Sequence, residues 1–530
     1  MKNMKLVLSL LLISFAIIGI SDAGYISWYE SQQIIPPCGT GFDCGTVLNS
    51  PWAHVGPIPL AYIGVFFYLT VFVLSTMHFL DLESGQVSKS IRKILPKWFA
   101  VKSATVFDFL WPLTLLGFLF SLYLVSIMAF VIGEWCKFCL VSAGTSSTLF
   151  LVSTIYLLKF YGKSSAIVKW LTLKTIGFCY RNIAKPIFFL FDAETIHHVM
   201  LNVGSFLGNI NIAKFKTSAF FSYKNPALVQ RFDGITFPNR VGLAAGFDYN
   251  GDLTQILPSV GFGWHTIGTV TLQPYEGNKK PRLGRFPNSK ALLVNKGLKS
   301  IGTKAVIAKL EKLPLYIPTA ISIASTNTSF DSEEDQLFDI LQSFLLFENS
   351  DVRHKLYELN ISCPNTFGGE PYTTPKRLEQ LLSAMDKLKL TRPLYIKMPI
   401  DQSQKETIEL LKVADKHNVQ GVIFGNLTKD KNNPAVLPED QRSWKQLKGN
   451  LSGKPTFDRS NAHIKTTKEM FKNRFTIVGT GGIFSGADAL KKLELGADLV
   501  QLISGMIFQG PQVIGEINQV IMDSTQPPSK

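Results

Sequence analysis

Four of the six cysteines in this 530-residue chain form two pairs whose spacing suits thiol–disulfide chemistry. Cys38 and Cys44 lie in a segment without Lys or Arg, whereas Cys136 and Cys139 form a Cys-x-x-Cys motif where an apolar run begins. A helix N-terminus stabilises a thiolate, and each thiol of such a motif can resolve a disulfide formed by the other. The pairs indicate a relay of thiol–disulfide exchange. Two structural disulfides, or a four-cysteine metal site, are the alternatives.

A second group of polar residues follows short apolar runs beyond residue 240. Cys363 can take a proton from carbon if its pKa is suitable. Several Asn side chains in one pocket suit a planar heterocycle, because each both donates and accepts hydrogen bonds. Lys397 can place positive charge beside a reduced flavin ring. The group comprises Gly246, Asp248, Thr269, Asn327, Asn360, Cys363, Asn365, Lys397, Asn426, Gly481, Gly482, Ser504 and Gly505.

The elements that must position this group alternate between strand and helix patterns. Helical patterns such as Gln336–Glu348 and Gly486–Leu493 separate most of the strand-like runs. Eight units predict a (β/α)8 barrel, whose chemistry lies in loops after the strand C-termini, and a doubly wound open sheet is the alternative. The predicted strands are Val241–Ala245, His265–Thr269, Thr319–Ala324, Leu356–Ile361, Leu394–Met398, Gly421–Gly425, Thr476–Gly479 and Leu499–Ser504.

Glycine-rich segments accompany the seventh and eighth predicted strands. Gly479-Thr-Gly-Gly-Ile483 and Ser504-Gly505 match the phosphate cradle common in barrels, where backbone N–H groups and a helix N-terminus bind the anion. A ligand with a phosphate group is therefore predicted here. Simple turn chemistry is the alternative.

The first third of the chain has a different composition. The whole chain is 46% hydrophobic and only 18% charged, and no Lys or Arg occurs between Lys5 and Lys89. This excess argues against disorder and predicts a membrane part. The first apolar stretch could continue past Asp22 through Ala23–Trp28, and it also fits a cleavable signal peptide ending near Ala23. Four spans are predicted: Leu6–Ile20, Leu60–Leu80, Phe107–Gly133 and Phe138–Leu158.

Lys and Arg in short loops orient these spans, because positive loops stay in the cytoplasm. The cysteine pairs should therefore face outward, with the C-terminal part inside. This topology also accounts for the net charge of +15, and the lack of a basic helix with interleaved aromatics argues against nucleic-acid binding. The basic residues concerned are Lys89, Arg92, Lys93, Lys97 and Lys102, then Lys159, Lys163, Lys169 and Lys174.

Between the spans and the barrel, residues 164–211 read as short amphipathic helices at the membrane surface. A linker with an ordinary helix pair is the alternative. His197 and His198 are interpreted as solvated or core-edge side chains, and no metal site is predicted. The predicted domains are a transmembrane domain at 1–160, surface helices at 161–215 and a barrel at 216–530.

The N-terminal motifs resemble those of bacterial vitamin K epoxide reductase homologues. The resemblance rests on Cys38-Gly-Thr-Gly-Phe-Asp-Cys44, Gly56-Pro-Ile-Pro-Leu-Ala61 and Trp135-Cys-Lys-Phe-Cys139. It implies a four-helix bundle around a quinone, in which Cys38 and Cys44 exchange with a periplasmic thioredoxin-like, disulfide-forming protein. Cys136 and Cys139 would then pass electrons to the quinone. The partner would be a separate protein, because the thioredoxin-like domain of many relatives is absent.

The C-terminal motifs resemble dihydroorotate dehydrogenase of the membrane-associated, quinone-dependent class. They include Val241-Gly-Leu-Ala-Ala-Gly-Phe-Asp248, Asn360-Ile-Ser-Cys-Pro-Asn365 and Leu499-Val-Gln-Leu-Ile-Ser-Gly505. The resemblance implies Cys363 as the base and pyrimidine contacts from Asn295, Asn360, Asn365 and Asn426. It implies FMN contacts from Ala245, Gly246, Phe247, Asp248, Thr269, Asn327, Asn360, Lys397, Gly425, Gly453, Gly482 and Ser504.

Several positions depart from that family's pattern. Cys363 stands where the membrane-associated class has Ser, and Tyr249 stands where the family has a Lys that pairs with the substrate carboxylate. Leu427 and Ile503 replace a Thr and a Tyr. Either Lys296 or Lys299 supplies the missing charge, or the substrate is not dihydroorotate.

These observations predict a membrane oxidoreductase with two modules in the bacterial inner membrane. The outward-facing bundle would oxidise thiols. The cytoplasmic FMN barrel would oxidise dihydroorotate, or a related dihydropyrimidine, and both modules would reduce quinone. An FMN barrel with another substrate, a non-catalytic barrel, and a bundle that serves only as an anchor are the alternatives.

Overall fold

The computed structural model describes residues 2–84, 86–94, 105–161 and 166–525. The chain forms two compact units, one up to Thr172 and the other from Leu173 onward. The domain boundaries predicted at 160 and 215 stay predictions. Three basic residues used to orient the spans, Lys97, Lys102 and Lys163, lie outside the described residues.

The first unit contains four apolar helices, which confirms the predicted spans. Each is long and apolar enough to cross a membrane. The first helix continues past Asp22, well beyond the predicted apolar run, and packs against the second and fourth helices around Leu12, Tyr68 and Leu149. The helices are α1 (Lys2–Ser31), α2 (Leu60–Ser84), α3 (Val106–Ile127) and α4 (Lys137–Tyr156), and α3 continues as a wider turn at Met128–Ile132.

The second unit is built on a closed barrel of eight parallel strands, and all eight predicted strands are confirmed. The strands follow each other in chain order, and the last pairs with the first through Val500 and Val241. They are β1 (Val241–Leu243), β2 (Trp264–Val270), β3 (Thr319–Ile323), β4 (Leu356–Asn360), β5 (Leu394–Met398), β6 (Gly421–Phe424), β7 (Thr476–Thr480) and β8 (Leu499–Leu502).

Helices separate consecutive strands and cover the outside of the barrel. Continuous burial of the strand residues reflects this enclosure, because apolar helices cover the outer face and side chains fill the interior. The main barrel helices are Thr303–Leu310, Glu333–Glu348, Pro375–Asp386, Gln404–Ala414, Phe457–Phe471, Gly486–Glu494 and Val513–Thr525.

Two additions stand at the carboxyl ends of the strands. One is a three-stranded antiparallel sheet of Leu283–Phe286, Ala291–Val294 and Asn450–Gly453, named the side sheet below. The other is a set of helices that precede the barrel. Helix α5 (Ala166–Cys179) comes first in the chain and spans the boundary between the two units. The set itself comprises a short helix at Lys185–Phe189, α6 (Ala193–Gly208) and α7 (Asn211–Phe221).

His265 in β2 is a buried histidine whose two ring nitrogens have no hydrogen-bond partner within the part of the chain that the structure describes. Burial lowers its pKa to about 3, so the folded protein keeps it neutral. The unfolded chain takes up this proton below its ordinary pKa of about 6.5. His265 therefore destabilises the folded state progressively as the pH falls from about 6.5 towards 3.

The free energy of unfolding of the wild type should fall between pH 7.5 and pH 5, and we expect His265→Leu to make this fall smaller by about 2 kcal/mol. The measurement is urea unfolding of the full chain in detergent at both pH values. His198→Gln is the control, because His198 is exposed to solvent. An unchanged pH dependence in His265→Leu would show that His265 is not buried as a neutral side chain.

Candidate functional site

A cavity of about 430 Å³ lies within the second unit. Its polar end lies at the carboxyl ends of the barrel strands. Its apolar end continues between the side sheet and helices α6 and α7. The predicted residues that line it are Ala245, Gly246, Phe247, Thr269, Asn360, Cys363, Asn365, Lys397, Gly425, Asn426, Gly453, Gly482 and Ser504.

A buried hydrogen-bond network positions the polar end. The Asn360 Nδ2 donates to Thr269 Oγ1 at 2.9 Å, and the Thr269 hydroxyl lies 2.9 Å from that of Ser322. Ser322 in turn donates to Glu358 Oε1 at 2.8 Å, and Lys397 Nζ lies 3.5 Å from the same oxygen. The barrel interior thus fixes a cation and an amide side by side in the cavity wall.

Cys363 lies in the loop after β4, beside Asn365. Burial raises the pKa of the Cys363 thiol to about 11, although the Asn365 backbone N–H and the charge of Lys397 oppose the shift. The Asn365 Nδ2 donates to Val294 O in the side sheet at 2.9 Å, while Asn450 Nδ2 donates to Asn365 Oδ1 at 2.7 Å. The loop is therefore tied to the side sheet next to the thiol.

Asn426 lies across the cavity, after β6. Its Nδ2 donates to Ser362 O and Ser362 Oγ, both at 2.7 Å. The Ser362 hydroxyl also donates to Lys397 O at 2.9 Å. Ser362 therefore ties Asn426 to the backbone of β5, a role that the sequence analysis did not assign.

Two glycines that line the cavity, Gly425 and Gly482, lie where the backbone approaches neighbouring residues too closely for a side chain. Gly425 has a φ of +143°, and a Cβ there would collide with Thr480 O. Gly482 has a φ of +71°, and a Cβ would collide with Phe457. Both conformations are costly for other residues. The absence of side chains at Gly425 and Gly482 therefore lets the loops pack closely against Thr480 and Phe457. It also leaves the main chain of Gly425 and Gly482 accessible to a ligand in the cavity.

Three predicted residues do not line the cavity. The carboxylate of Asp248 accepts from the backbone N–H groups of Asp252 and Leu253. Asn295 accepts from Asn278 Nδ2 at 3.0 Å, and Asn327 donates to Gly297 O at 3.0 Å. These side chains hold loops around the site, and their predicted ligand contacts stay predictions.

His197 lines the cavity, although its sequence pattern predicted only a solvated or core-edge side chain. This residue is buried on α6, and its Nε2 lies 2.8 Å from Phe247 O. Burial lowers its pKa to about 4, so it is neutral at pH 7. Its Nδ1 has no partner among the described residues. The apolar part of the cavity beside it, named the corridor below, is lined by Phe189, Ile196, Met200, Val203, Leu207 and Phe221.

In the first unit, the four predicted cysteines lie together. Cys38 and Cys44 form a disulfide, and the sulfur of buried Cys136 lies within 4.8 Å of both of their sulfur atoms. The Cys139 backbone N–H donates to Cys136 Sγ at 3.5 Å, at the start of α4. Three sulfurs within 4.8 Å of one another suit exchange by attack of a thiolate on a disulfide. Disulfide-bonded Cys38 and Cys44 offer no thiolate to a metal.

The chain combines a closed parallel barrel, which has a polar cavity at its strand ends, with a four-helix unit that contains paired cysteines. The cysteine pairs indicate an enzyme of oxidation and reduction. Residues 227–524 match the family model for dihydroorotate dehydrogenase, and residues 10–154 match that for the vitamin K epoxide reductase family. The chain belongs to the dihydroorotate dehydrogenase family and is an oxidoreductase. The resemblance of the N-terminal segment to the vitamin K epoxide reductase family is also confirmed.

Curated relatives and solved structures cover the C-terminal part. A protein named dihydroorotate dehydrogenase (quinone) from Synechococcus sp. (strain JA-2-3B'a(2-13)) is 33% identical, over 58% of this chain and 82% of that protein. One from Christiangramia forsetii is 31% identical, over 65% and 99%. The crystal structure of DHODH in complex with ferulenol from Eimeria tenella has a TM-score of 0.55 at 24% identity, over 63% of this chain and 91% of that one. This likeness supports the fold.

Proposed function

We propose that the second unit oxidises dihydroorotate to orotate with FMN and passes the electrons to a membrane quinone. The observation that carries this proposal is the cavity itself. One continuous space joins a polar chamber, which contains Cys363, Lys397 and three Asn side chains, to an apolar corridor between helices. A polar substrate and an apolar acceptor can thus reach opposite ends of one site. The relatives named as quinone-dependent dehydrogenases support the same assignment.

The donor set fits FMN. Gly453, Gly482 and Ser504 present main chain and a hydroxyl to a phosphate group, and the Ser504 hydroxyl lies 2.9 Å from that of Ser452. Lys397 and Asn360 line the part of the chamber nearest β4 and β5, where they suit the ring. When bound, FMN supplies a two-electron acceptor for hydride and a donor to quinone.

The residues of the chain perform the acid–base and binding work. Conversion of a dihydropyrimidine to a pyrimidine removes one proton and one hydride from adjacent carbons. We assign proton removal to Cys363 Sγ, and orientation of the ring to Asn360, Asn365 and Asn426, whose amides match its N–H and C=O groups. The high pKa of Cys363 in the protein without ligand means that its thiolate form is scarce at pH 7.

The purified full-length protein in detergent tests this proposal. We expect orotate to form from dihydroorotate only when a short-chain ubiquinone is supplied, because the corridor gives an apolar acceptor access to the chamber. A water-soluble acceptor such as fumarate is the control. Orotate formation with fumarate and not with quinone would contradict the proposed acceptor.

A variant of His197 can separate the two half-reactions, which are flavin reduction by dihydroorotate and flavin reoxidation by quinone. If the Nε2–H of His197 donates to Phe247 O, its Nδ1 is unprotonated and can accept a hydrogen bond. His197 lines the cavity beside the corridor, so a quinone there could donate to Nδ1 once it is reduced. We expect His197→Ala to slow reoxidation of the reduced flavin by quinone about tenfold. Reduction of the flavin by dihydroorotate should be unchanged. Stopped-flow measurement of the two half-reactions checks this, and His198→Ala is the matched control. Equal slowing of both half-reactions would contradict a corridor role.

For the first unit, we propose thiol oxidation linked to quinone reduction. Cys38 and Cys44 would exchange with a thioredoxin-like, disulfide-forming protein of the periplasm, and Cys136 and Cys139 would return the electrons to quinone. Two thiols become a disulfide while a quinone takes two electrons and two protons. We further propose a bacterial inner-membrane location with all four cysteines outside and the barrel in the cytoplasm, as the distribution of Lys and Arg favours.

A further inference from the structure

Lys296 is a buried cation in the cavity wall that neither the family match nor the network around Lys397 explains. It follows the side-sheet strand Ala291–Val294, is 3% exposed, and lines the chamber. Its ammonium lies 5.5 Å from the centroid of the Tyr249 ring. We infer that Lys296 binds the carboxylate of the substrate and selects an anionic dihydropyrimidine, an inference that rests on the proposed function.

The charges around Lys296 do not balance without a ligand. Its Nζ lies 2.6 Å from Glu194 Oε1, and the Arg282 guanidinium lies 3.4 Å from the same oxygen. One carboxylate thus faces two cationic side chains. Burial lowers the pKa of Lys296, and Glu194 is the acidic group that opposes this shift. An uncompensated buried charge is costly. The carboxylate of a bound substrate would restore neutrality.

The other cations near the cavity are engaged elsewhere. Lys397 pairs with buried Glu358 at 3.5 Å. Arg285 donates to Phe191 O at 2.7 Å and stacks over the Phe189 ring at the corridor. Lys299, three residues after Lys296, does not line the cavity. Lys296 also pairs with a carboxylate, but it shares Glu194 with Arg282, whereas Lys397 has Glu358 to itself. Lys296 is therefore the cation in the chamber wall whose charge is not fully balanced.

Tyr249 connects this cation to the reacting end of the chamber. It lines the cavity, its ring contacts the ammonium of Lys296, and it lies within electrostatic range of Cys363. A carboxylate held by Lys296 would therefore place the attached ring near the thiol that removes the proton. The same contact holds in the ground state and in the transition state, so its loss should raise KM more than it lowers kcat.

The test compares orotate with its uncharged carboxamide on the full-length protein in detergent, followed by the change in flavin absorbance on binding. We expect Lys296→Gln to weaken orotate binding about 10- to 100-fold, the loss typical of a charge-assisted hydrogen bond. Binding of the carboxamide should change less than about twofold, because it has no charge to lose. Lys299→Gln is the matched control and should leave both affinities unchanged.

A charge swap gives a second test. Tyr249→Lys added to Lys296→Gln returns an ammonium to the same part of the wall, so we expect it to recover much of the orotate affinity. Orotate binding to Lys296→Gln within about twofold of wild type, at equal flavin content, would overturn the inference. If Lys296→Gln does not fold, the wild type alone gives the test. Equal affinity of the wild type for orotate and for the carboxamide would then overturn the inference. A wild type that binds neither ligand and is not reduced by dihydroorotate would instead overturn the proposed function.

Discussion

Replacement of Cys363 by Ala should lower the rate at which dihydroorotate reduces the bound flavin by about 10²- to 10⁴-fold, the range for loss of a general base. Cys363 is the thiol that lines the chamber, and it stands beside Asn365 and within the field of Lys397. The Glu370 carboxylate is also within electrostatic range of the thiol, but it pairs with Lys429 and does not line the cavity. Anaerobic stopped-flow absorbance of the full-length protein measures the effect.

Cys179→Ala is the matched control for this experiment. Cys179 is an exposed cysteine at the end of α5 and does not line the cavity, so its loss should leave the rate unchanged. The wild-type rate should also rise about tenfold per pH unit between pH 6 and 9, because the reactive thiolate is the minor form below a pKa of about 11. A Cys363→Ala protein that retains wild-type rate, or a flat pH profile, would assign proton removal elsewhere.

Replacement of Cys136 by Ala should reduce thiol-driven quinone reduction at least about 100-fold, because the Cys136–Cys139 pair can no longer form the disulfide that accepts electrons from Cys38 and Cys44. The Cys136 sulfur is the one that lies within 4.8 Å of both sulfurs of the Cys38–Cys44 disulfide. The measurement uses reduced thioredoxin as donor and a short-chain ubiquinone as acceptor. Flavin reduction by dihydroorotate in the same variant should not change.

The Cys179→Ala protein serves again as the control for loss of a cysteine. Thiol-driven quinone reduction that survives in Cys136→Ala would indicate that the bundle is only an anchor. Loss of dihydroorotate oxidation in the same variant would contradict the independence of the two reactions.

Much of the fold follows from local patterns in the sequence. The eight strands are short, continuously apolar runs between helices, and burial on both faces produces that pattern. The spans follow from length and hydropathy, and α1 continues past Asp22 through Ala23–Trp28, the extension that the sequence allowed.

The site was only partly predictable. Residues at the end of a strand or just after it, such as Lys397, Cys363 and Asn426, were found because strand ends converge at one face of a barrel. The contribution of α6 was not foreseen. Glu194 and His197 reach Lys296 and Phe247 only through tertiary packing, over sequence distances that no local pattern encodes. The side sheet was missed for the same reason, since its strands Ala291–Val294 and Asn450–Gly453 are far apart in the chain.

The most direct test of the central claim is anaerobic mixing of the full-length protein with dihydroorotate while the flavin absorbance is followed. We predict that the bound flavin is bleached in a single turnover, and that its colour returns when a short-chain ubiquinone is added. Flavin that is present but stays oxidised in excess dihydroorotate would contradict the account. The chamber beside Cys363 would then serve a different substrate.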